Sequence, residues 1–211
     1  PPMMQDLQNY PEDLTGVFLA LRGLGTLCGS TLLVFINKKL DPRFILSVGF
    51  LLQGIAGFYM SHFDINLSAF ELAWTNSLAG LGVGFVWVPL TLITFNTLDK
   101  KFLNEASAFW HLIRNIGSSI SISITIALVI RSTAINYADL SSFISIFGDS
   151  TSVMPLKGTT APSGVESLSG LSKEIVRQSE MIGYINAFHL YYWIAFSIIP
   201  LVWLAPLKPQ N

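Results

Sequence analysis

The sequence has few charges, and hardly any of them fall in its long apolar runs. Asp, Glu, Lys and Arg make up 12% of the 211 residues, whereas 51% are hydrophobic, and the mean hydropathy is +0.55. The single cysteine, Cys28, can form no internal disulfide. A formal net charge of −1 carries no information about partners, and we expect no nucleic acid to bind. This composition is typical of an integral membrane protein.

The sequence also lacks the motifs of common enzymes. It contains no phosphate-binding loop, no His-x-x-x-His pair and no glycine-flanked serine of the nucleophile-elbow type. The glycines at 80, 82 and 84 lie inside an apolar run, where a dinucleotide site cannot form. We therefore expect no catalytic residues, no metal and no cofactor, and a membrane-embedded enzyme is disfavoured.

Long apolar runs dominate the chain instead. Uncharged runs at 44–61, 72–98 and 181–207 are each long enough to cross a bilayer as a helix, and runs at 14–36 and 106–130 contain one arginine each. We predict an all-α fold, a polytopic membrane helix bundle with five transmembrane helices.

The distribution of basic residues predicts how these spans are oriented. The short connections 37–43 (NKKLDPR) and 99–105 (DKKFLNE) hold three and two basic residues, so both are expected in the cytoplasm. The connection 62–71 has two acids and no lysine or arginine, and the chain up to residue 13 has three acids and none either. Those segments are expected outside.

The spans divide the chain into three segments. Residues 1–130 form a four-helix membrane segment with short loops, 131–180 a long extracytoplasmic loop, and 181–211 the last transmembrane helix with a cytoplasmic tail. Apolar side chains recur near one face at 167–177, which indicates a short amphipathic helix within the long loop. Whether that helix is simply solvated or contacts lipid or a partner stays open.

The fourth span carries a stripe of polar side chains on one helical face. At 100° per residue its members fall within about 40° of one line; they are Ser107, His111, Arg114, Ser118, Ser121 and Thr125. A charged side chain in hydrocarbon costs at least ~2.5 kcal/mol unless it finds a partner or water. The stripe is therefore expected to face protein or an aqueous cavity.

Two span arginines are the main candidates for function. Arg22 lies near the middle of the first span and Arg114 in the fourth, and no Asp or Glu lies deep in any span. The two cations therefore call for carboxylates from elsewhere, a water-filled cavity or an anionic group on a substrate. A structural role and a place in the transport path both stay open for each arginine.

Several uncharged or weakly titrating residues complete the candidate set. His111 is either a proton relay or a hydrogen-bonded wall residue, and Trp87 lies deep enough to contact a substrate. Pro89 should bend the third span, as a static kink or a hinge. Small residues at a spacing of four predict close helix packing at Gly25 and Gly29, Gly80 and Gly84, and Ser119 and Ser123.

Three stretches in a fixed order carry a family resemblance. Residues 80–98 (GLGVGFVWVPLTLITFNTL) run from glycines into Pro-Leu-Thr, 106–121 (ASAFWHLIRNIGSSIS) contain Arg-Asn-x-Gly-x-Ser, and 178–196 (QSEMIGYINAFHLYYWIAF) enter the last span. Together they resemble the C-terminal half of a major facilitator superfamily transporter of the fourteen-helix drug/proton antiporter type, the EmrB/QacA-like family. The chain departs from that pattern at Ser118 and Ser121, where the family usually has glycines.

The resemblance implies a function and a set of partners. It implies proton-coupled efflux of multidrug or other amphipathic compounds by alternating access, in the inner membrane of a bacterial cell. The chain is expected to be a fragment, helices ten to fourteen, whose partners would be membrane lipid, a missing N-terminal half, a small amphipathic substrate and a periplasmic adaptor protein. The rival interpretation is a non-transporting remnant, or a small membrane subunit that assembles with a separately made N-terminal half.

Overall fold

The computed structural model describes residues 2–36, 41–95, 98–142 and 165–204, and in these ranges it contains helices and no strands. The α-helices are α1 (Pro2–Asp6), α2 (Glu12–Ile36), α3 (Pro42–Met60), α4 (Ala69–Phe95), α5 (Leu103–Ser142) and α6 (Val165–Leu204). A short 3-10 turn, Lys100–Phe102, precedes α5. Helices α2 to α6 are long and apolar enough to span a membrane. The predicted all-α fold with five spanning helices is confirmed, and the chain is a multi-pass membrane protein.

Local sequence explains where two of these helices begin. Asp41 caps α3 by accepting the Arg43 backbone N–H at 2.9 Å, and Pro42 occupies the first helical position, where no N–H is needed. Ser68 and Glu71 form a capping box at the start of α4. The Glu71 carboxylate accepts the Ser68 N–H at 3.0 Å, and the Ser68 hydroxyl oxygen accepts the Glu71 N–H at 3.2 Å.

Glycines set the closest helix contact in the bundle, between α2 and α4. A Cβ atom on Gly80 would meet the Arg22 carbonyl, and one on Gly84 would meet the backbone of Thr26 and Ser30. The Thr26 hydroxyl lies 3.1 Å from the Gly80 carbonyl, to which it can donate across the interface. Gly25, Gly29, Gly80 and Gly84, where the sequence predicted close helix packing, all lie in this contact.

The remaining helices extend this pair into a row. Helix α4 packs on α3, where Gly49 lies against Phe85 and Val86, and α3 packs on α6, where Gly54 lies against the Phe196 ring. Helix α5 packs on α6. The row therefore runs α2, α4, α3, α6, α5.

The segment predicted as one long extracytoplasmic loop, 131–180, is helical at both of its ends. Helix α5 continues past residue 130 to Ser142, and the amphipathic stretch at 167–177 is the first part of the 40-residue α6 and no separate short helix. The extension of α5 packs on the part of α6 that follows residue 180. A Cβ on Gly183 would contact the Thr133 hydroxyl, and the Asn186 amide donates to the Ser132 hydroxyl at 2.6 Å. Residues 143–164, and the expected tail from 205 onward, lie outside the described residues.

The bundle has two chemically different ends. We call the end with the 61–68 connection and the starts of α2 and α6 the acidic end, and the end with residues 98–102 the basic end. The main cluster of buried side chains lies at the acidic end, where α1 packs on the bundle; its members include Met3, Met4, Leu7, Phe18, Phe63, Leu67, Leu72 and Met181. The Arg177 Nε donates to the Leu7 carbonyl at 3.2 Å and ties α6 to this cluster.

Candidate transport surface

The predicted polar stripe lies on the least packed part of the protein. From His111 to Ala127 every residue of α5 is exposed, on the polar and the apolar faces alike, and α5 has no buried residue. Ser107 is half-buried, whereas Arg114, Ser118 and Ser121 are exposed. The stripe therefore has no matching surface on another described helix along most of its length.

Arg114 joins the polar stripe to another helix. Its guanidinium carbon lies 4.2 Å from the centroid of the Trp87 ring on α4. At this distance the face of an indole attracts a cation, with about 0.5–2 kcal/mol depending on how far the pair is desolvated. Arg114, a candidate because of its charge, and Trp87, a candidate because of its depth in the span, therefore contact each other.

A second aromatic contact lies beside the first. The Trp110 ring on α5 and the Phe95 ring on α4 meet edge to face, with centroids 6.2 Å apart. Helix α5 thus touches α4 through side chains near its basic end and packs on α6 near its acidic end. Between these contacts its side chains project into open space.

The other members of the stripe bond only within α5 in the described residues. The Ser118 hydroxyl donates to the Asn115 carbonyl at 2.9 Å, and the Thr125 hydroxyl donates to the Ser121 carbonyl at 2.8 Å. His111 is exposed and makes no hydrogen bond within the described part of the chain. Hydroxyls bonded to their own backbone keep their lone pairs for water or a ligand.

Arg22 takes a different position from Arg114. Its backbone carbonyl lies in the tight α2–α4 contact at Gly80, while its side chain is exposed. Within the described residues neither span arginine forms an ion pair with a carboxylate.

A polar contact between α3 and α6 joins this set. The Tyr191 hydroxyl donates to the Gln53 side-chain oxygen at 3.0 Å. No motif in the sequence indicated that these two side chains would pair. The signal in the sequence was Gly57, which lets the Tyr191 ring approach α3 one turn away from Gln53.

Pro89 does not interrupt its helix. Helix α4 runs from Ala69 through Pro89 to Phe95, and the proline ring is fully buried. Proline has no N–H, so the Phe85 carbonyl lacks its usual intrahelical partner. At Pro89 the helix therefore lacks one backbone hydrogen bond, while the proline ring is buried. The contacts of Trp87 with Arg114 and of Phe95 with Trp110 lie within two helical turns of this position.

The arrangement provides a surface for recognition and contains no group set for bond-making chemistry. The described residues contain no cluster of three or more His, Cys, Asp or Glu that could hold a metal. What they provide is a guanidinium on an indole ring, a line of hydroxyls and an exposed helix face. Such groups can contact an amphipathic molecule by charge, stacking and hydrogen bonds.

Comparisons with known proteins point to transport. The chain is 23% identical over 207 residues to the multidrug export protein EmrB of Escherichia coli, and 28% identical over 212 residues to the probable multidrug resistance protein EmrY of the same species. It is 21% identical over 208 residues to the fatty acid resistance protein FarB of Neisseria gonorrhoeae. No profile of a known protein family matches the chain.

These alignments cover nearly all of the chain but only part of each relative. They include 97% of this chain, and they span 40% of EmrB and EmrY and 41% of FarB. The relatives are transport and resistance proteins and not enzymes. Together with the five apolar helices, the similarity supports a role in transport across a membrane.

Proposed function

We propose that the chain is the C-terminal part of a proton-coupled exporter of multidrug or other amphipathic compounds. It would work by alternating access, in which this half rocks against an N-terminal half around a site near the middle of the membrane. Relatives named for multidrug export and for fatty acid resistance, which the chain matches over 40% of their length, support this assignment. The proton-carrying acid would come from the other half, because no Asp or Glu lies deep in the five apolar runs.

The observation that carries the proposal is the contact between Arg114 and Trp87. An arginine in a membrane helix is tolerated where it faces a partner or water, and here its guanidinium lies 4.2 Å from the indole centroid on an otherwise exposed helix face. We infer that the guanidinium holds the polar head of an amphipathic substrate while the ring contacts its apolar part. Ser107, His111, Ser118 and Ser121 would extend this surface along α5, Arg22 would act from α2, and Pro89 would serve as the hinge of α4.

The proposal includes an orientation and a location. The acidic end would face outside and the basic end the cytoplasm of a bacterial cell, because lysine and arginine in short connections are retained inside. The chain would lie in the inner membrane, surrounded by lipid, and a periplasmic adaptor protein would meet its acidic end.

A second function rests on a specific observation. The α5 face from His111 to Ala127 has no cover in the described residues, which also fits a membrane subunit that docks on a separately made partner without transporting anything. The two proposals differ in whether Arg114 is needed for export.

Export by the chain co-expressed with a fitting N-terminal half tests the proposal. Arg114→Ala should abolish export in a drug-sensitive strain while membrane abundance stays near that of the unmodified protein. Arg131→Ala, which removes an exposed arginine from the same helix outside the stripe, should export normally. Loss of abundance in Arg114→Ala would favour a structural role, and full export by that variant would contradict a role in the path.

A further inference from the structure

A cleft of 560 Å³ opens at the acidic end of the bundle. It is formed by the last turn of α3, the 61–68 connection, the first turns of α4 and one side chain of α6. The residues that define its chemistry are Tyr59, His62, Asp64, Glu71, Trp74 and Gln178. Pockets that take small molecules have volumes of about 300–1,000 Å³, so the cleft has the size of a small-molecule site.

The cleft is negatively charged. Asp64 and Glu71 line it, and no lysine or arginine does. Neither carboxylate forms an ion pair within the described residues, where the ion pair present is Arg177 with Glu174. Glu71 uses its Oε2 atom for the Ser68 capping bonds at 3.0 Å, so Oε1 is available to a ligand. A cation entering this cleft would meet two carboxylates and no like charge.

His62 adds an acceptor to the same surface. Its Nδ1 lies 2.9 Å from the Phe58 carbonyl, which can only accept, so Nδ1 carries the hydrogen in this contact. In the neutral ring Nε2 is then a hydrogen-bond acceptor. The polar groups of the cleft therefore favour a ligand that is positively charged or donates hydrogen bonds.

Two aromatic rings form an apolar wall. Tyr59 and Trp74 pack edge to face with ring centroids 4.8 Å apart, and Tyr59 is 48% exposed. The faces of such rings attract cations and stack with other aromatic rings. Carboxylates beside an aromatic wall suit a ligand that combines a positive charge with a flat ring.

The walls of the cleft are held in place before any ligand binds. Phe63, Leu67 and Leu72 belong to the buried cluster at the acidic end. The Gln8 amide donates to the Ile65 carbonyl at 2.7 Å, which ties the 61–68 connection to the N-terminal segment. A site ordered in advance loses less conformational entropy on binding.

We propose that this cleft binds organic cations that carry a flat aromatic ring, and that it is a site separate from the Arg114–Trp87 surface. Binding at this exposed end needs no passage of the ligand through the membrane part, so the proposal goes beyond the proposed function. The two span arginines would repel a cation in the membrane part, whereas Asp64 and Glu71 attract it at the acidic end. An organic cation is favoured over a metal because the described residues hold no cluster of metal ligands.

Binding of ethidium to the purified chain in phosphatidylcholine nanodiscs tests the proposal. The double variant D64N/E71Q removes both charges, and glutamine at 71 can still form the capping box. An exposed carboxylate within about 4 Å contributes roughly 1 kcal/mol in water, so losing two should raise the Kd for ethidium roughly thirtyfold. The matched control E12Q/D13N removes two charges from the start of α2, outside the cleft, and should change the Kd less than about twofold.

Phenanthridine, the uncharged aromatic core of ethidium, separates charge from stacking. It should bind both double variants as it binds the unmodified chain, and Trp74→Leu should weaken both probes. Equal losses of ethidium binding in the two double variants, or none in D64N/E71Q, would overturn the proposal. The result is independent of transport: full export by Arg114→Ala would contradict the proposed function even if ethidium binding follows the cleft charges.

Discussion

The α2–α4 interface and the middle of α5 contain the same sequence pattern, but only the first of them is packed. Gly80 and Gly84 of α4 lie against the backbone of α2 so closely that a Cβ on either would collide with it. Gly117, Ser119 and Ser123 of α5 are exposed, and a Cβ on Gly117 would have nothing within 4 Å. Small residues at a spacing of four therefore permit close packing, and a complementary partner helix decides whether it happens.

The two regions also differ in their polar groups. The Thr26 hydroxyl lies 3.0 Å from the Arg22 carbonyl of its own helix and 3.1 Å from the Gly80 carbonyl of α4, so it can also reach across the interface. On α5 the hydroxyls of Ser118 and Thr125 bond to their own helix. The first region is suited to hold the bundle together, and the second to meet a ligand or a further helix.

The largest effect should come from filling the glycine contact. Gly80→Leu forces a side chain into the Arg22 carbonyl, and overpacking of this kind costs about 1–3 kcal/mol or more, so the melting temperature in detergent should fall by roughly 5–10 °C. Gly117→Leu places the same side chain in open space on α5 and should shift it by less than about 2 °C. Similar losses in both variants would remove the distinction between the regions.

A smaller effect should come from the Arg114–Trp87 contact. In a double-mutant cycle of Arg114→Gln and Trp87→Leu, followed by unfolding in detergent, the coupling free energy should be about 0.5–2 kcal/mol. Arg131→Gln combined with Trp87→Leu is the control and should show no coupling. A coupling near zero for the first pair would mean that the α4 ring does not hold α5.

The smallest effect should come from the Tyr191–Gln53 hydrogen bond. Side-chain hydrogen bonds between membrane helices contribute on average about 0.6 kcal/mol, and the cycle of Tyr191→Phe and Gln53→Leu should give a coupling free energy near that value. Tyr137→Phe, on an exposed position of α5, replaces Tyr191→Phe in the control cycle and should give none. A coupling free energy larger than that of the Arg114–Trp87 pair would contradict this order of effects.

The sequence was sufficient to predict the helices because length and hydropathy alone decide whether a segment can span a bilayer. It predicted close helix packing at Gly25, Gly29, Gly80 and Gly84, because close approach needs small residues, but it did not predict that α2 and α4 are the helices that meet. It failed at the boundary of α5, where the extension to Ser142 depends on contacts with α6 that no local pattern encodes. The charged residues from Arg131 onward end the apolar part of α5 and not the helix itself.

The sequence indicated which residues belong to the candidate site, but it did not indicate which of them contact each other. Periodicity placed Arg114 on a polar face, and depth singled out Trp87, but the contact between them depends on how α5 lies against α4. The cleft at the acidic end was not predictable for the same reason. Tyr59 and Trp74 lie near span ends, where aromatic residues are common, and the folded connection 61–68 is what brings Asp64 to the same cleft as Glu71.

The central claim, that the polar stripe of α5 faces water in the assembled transporter, is tested most directly by cysteine accessibility. In a Cys28→Ser background co-expressed with a fitting N-terminal half, single cysteines are placed at Ser118 and Ser121 on the stripe and at Ile120 and Ile124 on the apolar face. All four positions are exposed in the isolated chain, so the membrane and the partner half must create any difference. We predict that an impermeant thiol reagent labels the two stripe positions and spares the two isoleucine positions. Equal labelling of both faces, or labelling of the isoleucine positions alone, would contradict the account.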